Sequence, residues 1–267
     1  MDEIVRDQSA KVSISVVSHK QADLVSLLLS DIELHCSEDS IELILTLNLE
    51  EELPFTPDNF SFPIRMIHNK TRQGFGENHN KAFMQSKGQF FCILNPDIRL
   101  KSNPFPLLVD CLNDDSVGVV APLVLGEDNE IGDSARHFPT PFKIVAKAFG
   151  YYKGSDYEIT EQPIKPDWVG GMFLLFKRNM FEELNGFDQR YFLYYEDVDI
   201  CARLRLLGYE VLLHPKVKAY HYAQRTSHAN YEYLKVHLTS MIRFFLSPVF
   251  WRVQFQKRVC RDNIKRR

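Results

Sequence analysis

Residues 12–18, VSISVVS, make a nearly continuous run of β-branched and apolar residues. Such a run predicts a strand buried on both faces, as in a parallel sheet. Parallel neighbours need crossover connections, and crossovers are usually helices. The next segments meet that demand. Residues 21–35 carry Leu24, Leu27, Leu28 and Ile32 at helical spacing. Residues 41–48 (IELILTLN) predict a second strand, 54–63 a loop, and 64–68 (IRMIH) a third strand. A glycine-bearing loop over 69–76 leads to a helix over 77–87, which Gly88 is expected to stop. Residues 89–94 (QFFCIL) predict a fourth strand that runs into Asn95-Pro96-Asp97. The order β-α-β-β-α-β argues for an α/β sheet with helices on its faces.

Downstream, 106–113 reads as a helix and 117–125 (VGVVAPLVL) as a strand. Residues 126–166 show little periodicity, and loops of that length are usually functional or disordered. A strand is expected over 168–176, with two glycines near its start, then a short helix over 178–184 closed by Gly186. Val198, Cys201, Ala202 and Leu204 fit a helix over 196–207. A last strand is expected over 210–214 and a helix over 229–246, broken by Pro248. The tail from Phe250 has an imperfect amphipathic pattern, with Trp251, Val253, Phe255 and Val259 between basic residues.

Composition narrows the function classes. With 267 residues, 45% of them apolar, the chain has material for one large domain or two small ones. No apolar run nears the ~18 residues of a membrane span, and the polar start MDEIVRDQSAK is unlike a signal peptide. Five cysteines (Cys36, Cys92, Cys111, Cys201, Cys260) form no CxxC pair and read as reduced thiols of a cytosolic protein. The net charge of −3 conceals an asymmetry: from Arg243 onward there are eight basic residues and one acid, Asp262. An acidic body is not that of a nucleic-acid binder, while a basic tail suits an anionic membrane surface.

Four groups of residues can carry chemistry. Asn95-Pro96-Asp97 follows a buried strand, where open α/β sheets bind ligands, and an Asp there can hold a hard cation beside substrate phosphates; the same tripeptide also makes a plain turn. Glu196, Asp197 and Asp199 follow Phe192-Leu193-Tyr194-Tyr195. Acids suit a helix N-terminus, and apolar neighbours raise a carboxyl pKa toward general-base use. His221 is a candidate metal ligand or a structural histidine. In 69–80, Gly74 and Gly76 permit close backbone approach and Arg72 or Lys70 could face phosphate.

Taken in order, these blocks resemble the inverting family 2 glycosyltransferases of GT-A fold. The similarity runs over roughly residues 12–245: ISVVSHK, Gly74-Phe75-Gly76-Glu77-Asn78-His79-Asn80, Leu94-Asn95-Pro96-Asp97, Asp167-Trp168-Val169-Gly170-Gly171, Asn185-Gly186-Phe187-Asp188, the stretch from Phe192 to Cys201, and His221-Tyr222-Ala223. Within the family the chain is most similar to bacterial rhamnosyltransferases of O-antigen and other cell-surface polysaccharides. The resemblance implies a single Rossmann-like mixed sheet flanked by helices over 1–246, with a basic amphipathic helical extension over 247–267. It implies transfer of a deoxyhexose, L-rhamnose from dTDP-L-rhamnose, to a lipid-linked glycan, by a cytoplasmic enzyme peripheral on the inner face of the membrane. The alternatives are a UDP-hexose donor or a catalytically silent sugar-nucleotide-binding scaffold.

Residue by residue, the resemblance makes Asp197 the base, with Glu196 beside it. Asp97, with Asn95 replacing the first acid of an Asp-x-Asp motif, and His221 would hold Mg²⁺ or Mn²⁺. The donor would lie against Ser18, Asn48, Arg72, Gly74, Phe75, Asn80, Asn95 and Asp97. The acceptor would lie against Trp168, Gly170, Gly171 and Asp199. One departure stands out: the family's second strand commonly ends in Asp-Asn, the Asp reading the nucleobase, whereas here it ends in Leu47-Asn48, so Glu50, Glu51 or a backbone amide would have to substitute.

Overall fold

The computed structural model describes residues 11–37, 40–132, 134–151, 154–222 and 231–265. Its frame is one sheet. β1 (Val12–Ser18) lies parallel to β2 (Ile41–Leu47) on one side and β4 (Phe90–Leu94) on the other, and β3 (Ile64–His68) extends it beyond β2. The second half adds β5 (Ile98–Arg99), β6 (Val117–Leu125), β9 (Phe173–Lys177) and β10 (Glu210–His221). The full order is β3-β2-β1-β4-β9-β6-β10-β5, with β9 antiparallel to both neighbours and β5 antiparallel to β10. β1 and β2 are buried almost throughout, as uninterrupted apolar runs require. A separate ribbon pairs β7 (Ala135–Arg136) with β8 (Trp168–Val169). The helices are α1 (Ala22–Cys36), α2 (Phe75–Gln85), α3 (Phe105–Cys111), α4 (Pro141–Ala148), α5 (Arg178–Glu183), α6 (Glu196–Leu206), α7 (Tyr231–Leu246) and α8 (Pro248–Lys265).

Two apolar cores fill the space between sheet and helices. Ile14, Val16, Leu28 and Leu45 belong to one; Ile93, Phe176, Phe181 and Ile200 belong to the other. The antiparallel β9 is what joins the N-terminal parallel block to the β6–β10 pair.

The structure differs from the sequence expectations in several places. α2 starts at Phe75 and ends at Gln85, so Gly88 does not stop it. Gly88 instead lies against β1, where a Cβ would come within 2.6 Å of the Ser13 nitrogen. The expected strand over 168–176 is two strands, separated at Gly170–Met172, because Gly170 N donates to Ser134 O and Asn95 N donates to Met172 O. The last strand does not stop at His214. It continues through Pro215, and a shift of register against β6 between His214 and Lys218 absorbs the proline. The stretch 126–166 contains β7 and α4; Pro141 in the first helical turn and Thr140, whose Oγ1 accepts from Lys143 N at 3.2 Å, were its start signal.

The core also runs past residue 246. α8 packs on α6, and Phe250 and Val253 are buried in the same cluster as Cys201, Ala202 and Phe244. Trp251 and Phe255 face solvent. The helical backbone continues to Lys265; the side chains of Lys257, Arg258, Val259, Cys260, Arg261 and Lys265, and residues Arg266 and Arg267, lie outside the described residues, as does Ala223. Cys36, Cys92 and Cys201 are buried free thiols, and burial lifts Cys201 to about 12. No described helix is long and apolar enough to cross a membrane.

Candidate active site

Asp97 and His221 are 124 residues apart and meet through a short strand, β5. β5 begins immediately after Asp97 and pairs Ile98 with His221 at the end of β10. Tyr222 N donates to Asp97 O at 3.0 Å, and His221 Nε2 lies 3.0 Å from Asp97 Oδ2. That hydrogen bond raises the imidazole pKa against the opposing effect of burial. β5 is pinned from behind: Asp31 of α1 takes both Nε and Nη2 of Arg99, at 2.6 and 2.7 Å, and Leu100 N at 2.9 Å.

The other oxygen of Asp97, Oδ1, is buried and has no hydrogen-bond partner among the described residues. An orphaned carboxylate oxygen beside an imidazole is a fitting donor set for Mg²⁺ or Mn²⁺. The described residues contain no group of three or more His, Cys, Asp or Glu able to hold a metal. A cation at Asp97 and His221 would therefore draw its remaining ligands from substrate and water.

The second acidic site is made by an unusual entry to a helix. Tyr194 and Tyr195 both adopt positive φ, 68° and 70°, a conformation costly for bulky residues. The turn brings Glu196, Asp197 and Asp199 into the first turn of α6, where the helix dipole favours negative charge. Glu196 is 5% exposed, its Oε2 has no partner among the described residues, and burial holds its carboxyl well above the usual value. Asp197 is raised too, again mainly by burial, but it has what Glu196 lacks. Gly171 N donates to Oδ2 at 3.0 Å, Val198 N donates to Oδ1 at 2.8 Å, and Arg136 adds a favourable charge. Burial lifts both carboxyls, and the hydrogen bonds from Gly171 N and Val198 N favour the charged form of Asp197 over that of Glu196.

Two cavities flank these groups. One, of about 360 Å³, is lined by Asp97, Asn95, Asn48, Arg72 and Phe75 among others. The other, of about 540 Å³, is lined by Glu196, Asp197, Trp168 and Arg136 among others. The segment 192–195 divides them: Phe192 and Leu193 face the first, Tyr194 and Tyr195 the second. Phe75 lines the first cavity and lies next to Gly171, whose ideal Cβ would be 3.5 Å from both its Cζ and Asp197 Cβ. A reactant in each cavity would meet at this partition.

Comparison with known proteins fits that layout. The profile of "Glycosyl transferase family 2" matches residues 48–184, half of the chain. The chain belongs to glycosyl transferase family 2. A second profile, "N-terminal domain of galactosyltransferase", matches residues 164–229 of this family 2 glycosyltransferase. It is 28% identical to rhamnosyltransferase WbbL of Escherichia coli (strain K12), over 87% of this chain and 92% of that one. It is also 28% identical to the N-acetylglucosaminyl-diphospho-decaprenol L-rhamnosyltransferase of Mycobacterium tuberculosis (strain ATCC 25618 / H37Rv), over 58% of this chain and 53% of that protein, so the match spans about half of that relative. Among solved structures, GalNAc-T7 with UDP, GalNAc and Mn²⁺ superposes with a TM-score of 0.65 at 15% identity, over 83% of this chain and 45% of that one. The mannosyltransferase PcManGT from Pyrobaculum calidifontis, in complex with GDP-Man and Mn²⁺, gives 0.60 at 19% identity, over 88% and 65%. The fold of the glycosyltransferase is GT-A, a mixed sheet flanked by helices.

The residues anticipated for the glycosyltransferase's two substrates do not all lie where the motifs suggested. Asn48, Arg72, Phe75, Asn95 and Asp97 line the smaller cavity together. Asn48 is largely occupied with structure: its Oδ1 accepts from Gln73 N at 2.8 Å and Asn69 Nδ2 at 3.0 Å, and its Nδ2 donates to Gln73 O at 2.9 Å. Gly74 caps α2 and allows the chain to pass Phe192, whose carbonyl oxygen would be 2.7 Å from an added Cβ. Ser18 is fully buried and its Oγ accepts from Gln21 N, a local turn rather than a ligand contact. Asn80 is a correction: it lines a different depression and brackets Phe187, donating to its O and accepting from its N.

On the larger cavity, Trp168 lines the wall, Gly170 and Gly171 form the bend between β8 and β9, and Gly171 holds Asp197. Asp199 is a second correction: it is 2% exposed and ion-paired at 2.7 Å with Arg203, which ties α6 to the carbonyls of Leu184 and Gly186. Glu51 approaches the smaller cavity without lining it: its Oε1 accepts from Lys20 N, and Lys20 lines that cavity. Sequence reasoning missed Arg136, Lys147, Tyr233 and His237. The last two are i, i+4 neighbours on α7, so that one helix face reaches both cavities. That spacing was the available signal; Arg136 had none, because only the β7–β8 ribbon brings it beside Trp168.

Proposed function

We propose that this family 2 enzyme is an inverting, metal-dependent rhamnosyltransferase that moves L-rhamnose from dTDP-L-rhamnose to a lipid-linked glycan in bacterial surface-polysaccharide synthesis. The carrying observation is the asymmetric carboxylate pair at the start of α6, with Asp197 held by two backbone amides at the partition between two cavities. The rhamnosyl assignment is supported by the similarity to the two rhamnosyltransferases, and the lipid-linked acceptor by the decaprenol-linked substrate that the mycobacterial one is named for.

In this reading the donor occupies the smaller cavity, with its diphosphate at Asp97 and its sugar toward Phe75. Asp97 and His221 would hold Mg²⁺ or Mn²⁺, which when bound offsets the charge that develops on the departing nucleoside diphosphate. Arg72, over the Phe192 ring at 5.1 Å, adds a positive charge at the same mouth. The acceptor hydroxyl lies at Asp197, which takes its proton as the oxygen attacks the sugar's anomeric carbon from the face opposite the diphosphate. Gly171 N and Val198 N keep that carboxylate oriented, and burial disfavours a second negative charge on the neighbouring Glu196. Trp168 offers an indole face for the acceptor sugar. The exposed Trp251 and Phe255, with the basic tail, support reversible attachment to an anionic membrane.

Thermal unfolding with a panel of sugar nucleotides, with and without Mn²⁺, tests the donor. A ligand at a hundred times its Kd adds about 2.7 kcal/mol. A metal-dependent shift with dTDP-L-rhamnose that disappears in Asp97→Ala is expected. A shift with a UDP-hexose instead selects the second reading, hexosyl transfer, which the galactosyltransferase-domain match over 164–229 favours. No shift with any donor, and no transfer, would leave only a silent scaffold.

A further inference from the structure

Helix α7 carries apolar residues on opposite sides. The inner side is accounted for. Ser240 Oγ donates to Leu193 O at 2.8 Å, Phe244 is fully buried, and the His237 ring packs on Tyr194 and Tyr195 with centroids 5.2 and 5.6 Å away. These contacts hold α7 against the segment that divides the two cavities. Three- and four-residue steps place Tyr231, Leu234, Leu238, Ile242 and Leu246 on the opposite side. All five are exposed, from 43% at Leu238 to 77% at Tyr231. An apolar stripe along a surface helix normally faces a core, and here the core is already served by the other side.

α8, which packs on α7, repeats the pattern: Phe250 and Val253 are buried, while Trp251 and Phe255 are exposed. Large apolar side chains in the open thus run through both C-terminal helices, more than the scattered single residues of an ordinary surface. Charge selects what covers them. Lys235 and Arg243 on α7 and Arg252 on α8 are exposed as well. From Arg243 to the C-terminus there are eight basic residues and one acid. A second copy of the chain seated on this surface would set two basic segments against each other. A bilayer with anionic headgroups satisfies both features, since the acyl boundary takes the apolar side chains and the headgroups take the lysines and arginines.

We infer that the outer face of α7, with Trp251 and Phe255 of α8, lies in the interface of an anionic bilayer. This rests on the reading of an enzyme that meets a lipid-linked acceptor, and it names the surface: α7 makes the apolar contact, and the basic tail does not act alone. The placement has a use. Tyr233 and His237, on the inner side of the same helix, line the smaller and the larger cavity. One helix thickness, about 10 Å, then separates the bilayer from both cavities.

Sedimentation of the full chain with sucrose-loaded vesicles tests the contact without any substrate. Wild type should bind vesicles of phosphatidylcholine mixed with phosphatidylglycerol, and bind phosphatidylcholine alone far less. Leu238→Ser/Ile242→Ser, with the tail intact, should weaken binding to the mixed vesicles about tenfold. Lys235→Glu/Arg252→Glu, which keeps every apolar side chain, should weaken it too. All four residues are exposed, so both variants should match wild type in unfolding temperature and in sugar-nucleotide binding. Equal sedimentation of wild type and the apolar variant overturns the α7 contact. Equal binding of wild type to the two kinds of vesicle overturns the anionic headgroups. A dimer in vesicle-free solution that the apolar variant abolishes replaces the bilayer with a second copy. Wild-type binding of sugar nucleotide but not of vesicles overturns the surface and leaves the transferase reading standing. Vesicle binding through α7 by a chain that transfers nothing sinks the function reading and keeps the surface.

Discussion

The two cavities are built by opposite means. The Asp97 side is held by side chains that bond to backbone. Asn48 locks Gln73, Asn78 Nδ2 donates to Gly74 O at 3.0 Å, and Asp31 accepts from Leu100 N. The Asp197 side is held by conformation and exclusion of water. Two tyrosines sit at positive φ, a glutamate is buried without a partner for one oxygen, and one backbone amide from the β8–β9 bend steadies the base. A site of the first kind positions a charged, rigid ligand. A site of the second kind adjusts the acidity of a single carboxyl. The division suits the proposed chemistry, in which one site would grip a diphosphate and the other would accept a proton.

That comparison breaks most sharply at the two aspartates. Asp197→Asn should cut transfer by about a hundredfold to ten-thousandfold, the usual reach of a positioned base, with the donor Kd unchanged. Asp97→Ala should remove metal-dependent donor binding itself. Steady-state kinetics beside calorimetry would show it, and loss of donor affinity in Asp197→Asn would merge the two sites into one. Next in size is Asn48→Ala. It strips three hydrogen bonds from the 69–73 loop, and an unmade buried bond costs about 1–3 kcal/mol. Donor affinity should fall roughly tenfold. An unchanged donor affinity, measured by calorimetry, would show that the loop does not shape the smaller cavity.

Glu196→Gln should have the smallest effect on rate, because glutamine mimics the protonated acid; a collapse of activity comparable to Asp197→Asn would move the base to Glu196. Its signature lies in stability. The raised pKa of Glu196 means that the folded state keeps a proton the unfolded chain releases. Wild-type stability from this group is intact below the unfolded value and is lost as pH rises through the folded one. The glutamine variant lacks that loss, so its Tm should gain on wild type at alkaline pH and match it below about pH 4. Asp197 is raised as well. The rate of wild type should therefore fall on acidification at a higher pH than an exposed aspartate would set, since protonation removes the base.

Much of this was legible in the sequence because the N-terminal half is locally encoded. Continuous apolar strands at 12–18, 41–47 and 90–94 have one way to be buried, and Asn95-Pro96-Asp97 falls at a strand end by simple succession. The second half depends on distant pairings. Nothing local announces that β10 runs through Pro215 to bring His221 against Asp97, or that a two-residue ribbon sets Arg136 beside Trp168. Asp199 and Asn80 misled for a related reason. Both sit in motif blocks and carry reactive groups; Arg203, which takes Asp199, stands four residues on along α6, a pairing that helical spacing allows, whereas Phe187, which engages Asn80, is recognisable only after folding. The approach of Glu51 to the smaller cavity was within reach of reasoning, since the departure at Leu47-Asn48 called for a nearby polar group.

The packing of α8 on α6 sets a timetable for synthesis. The helix that carries Asp197 is closed from below by Phe250 and Val253, which leave the ribosome some fifty residues after it. Until they arrive, the parallel strands β1 to β4 can already pair, while the helix that carries Asp197 has one flank wet. Cleavage near Ser247 should return a finished molecule to that same uncovered condition.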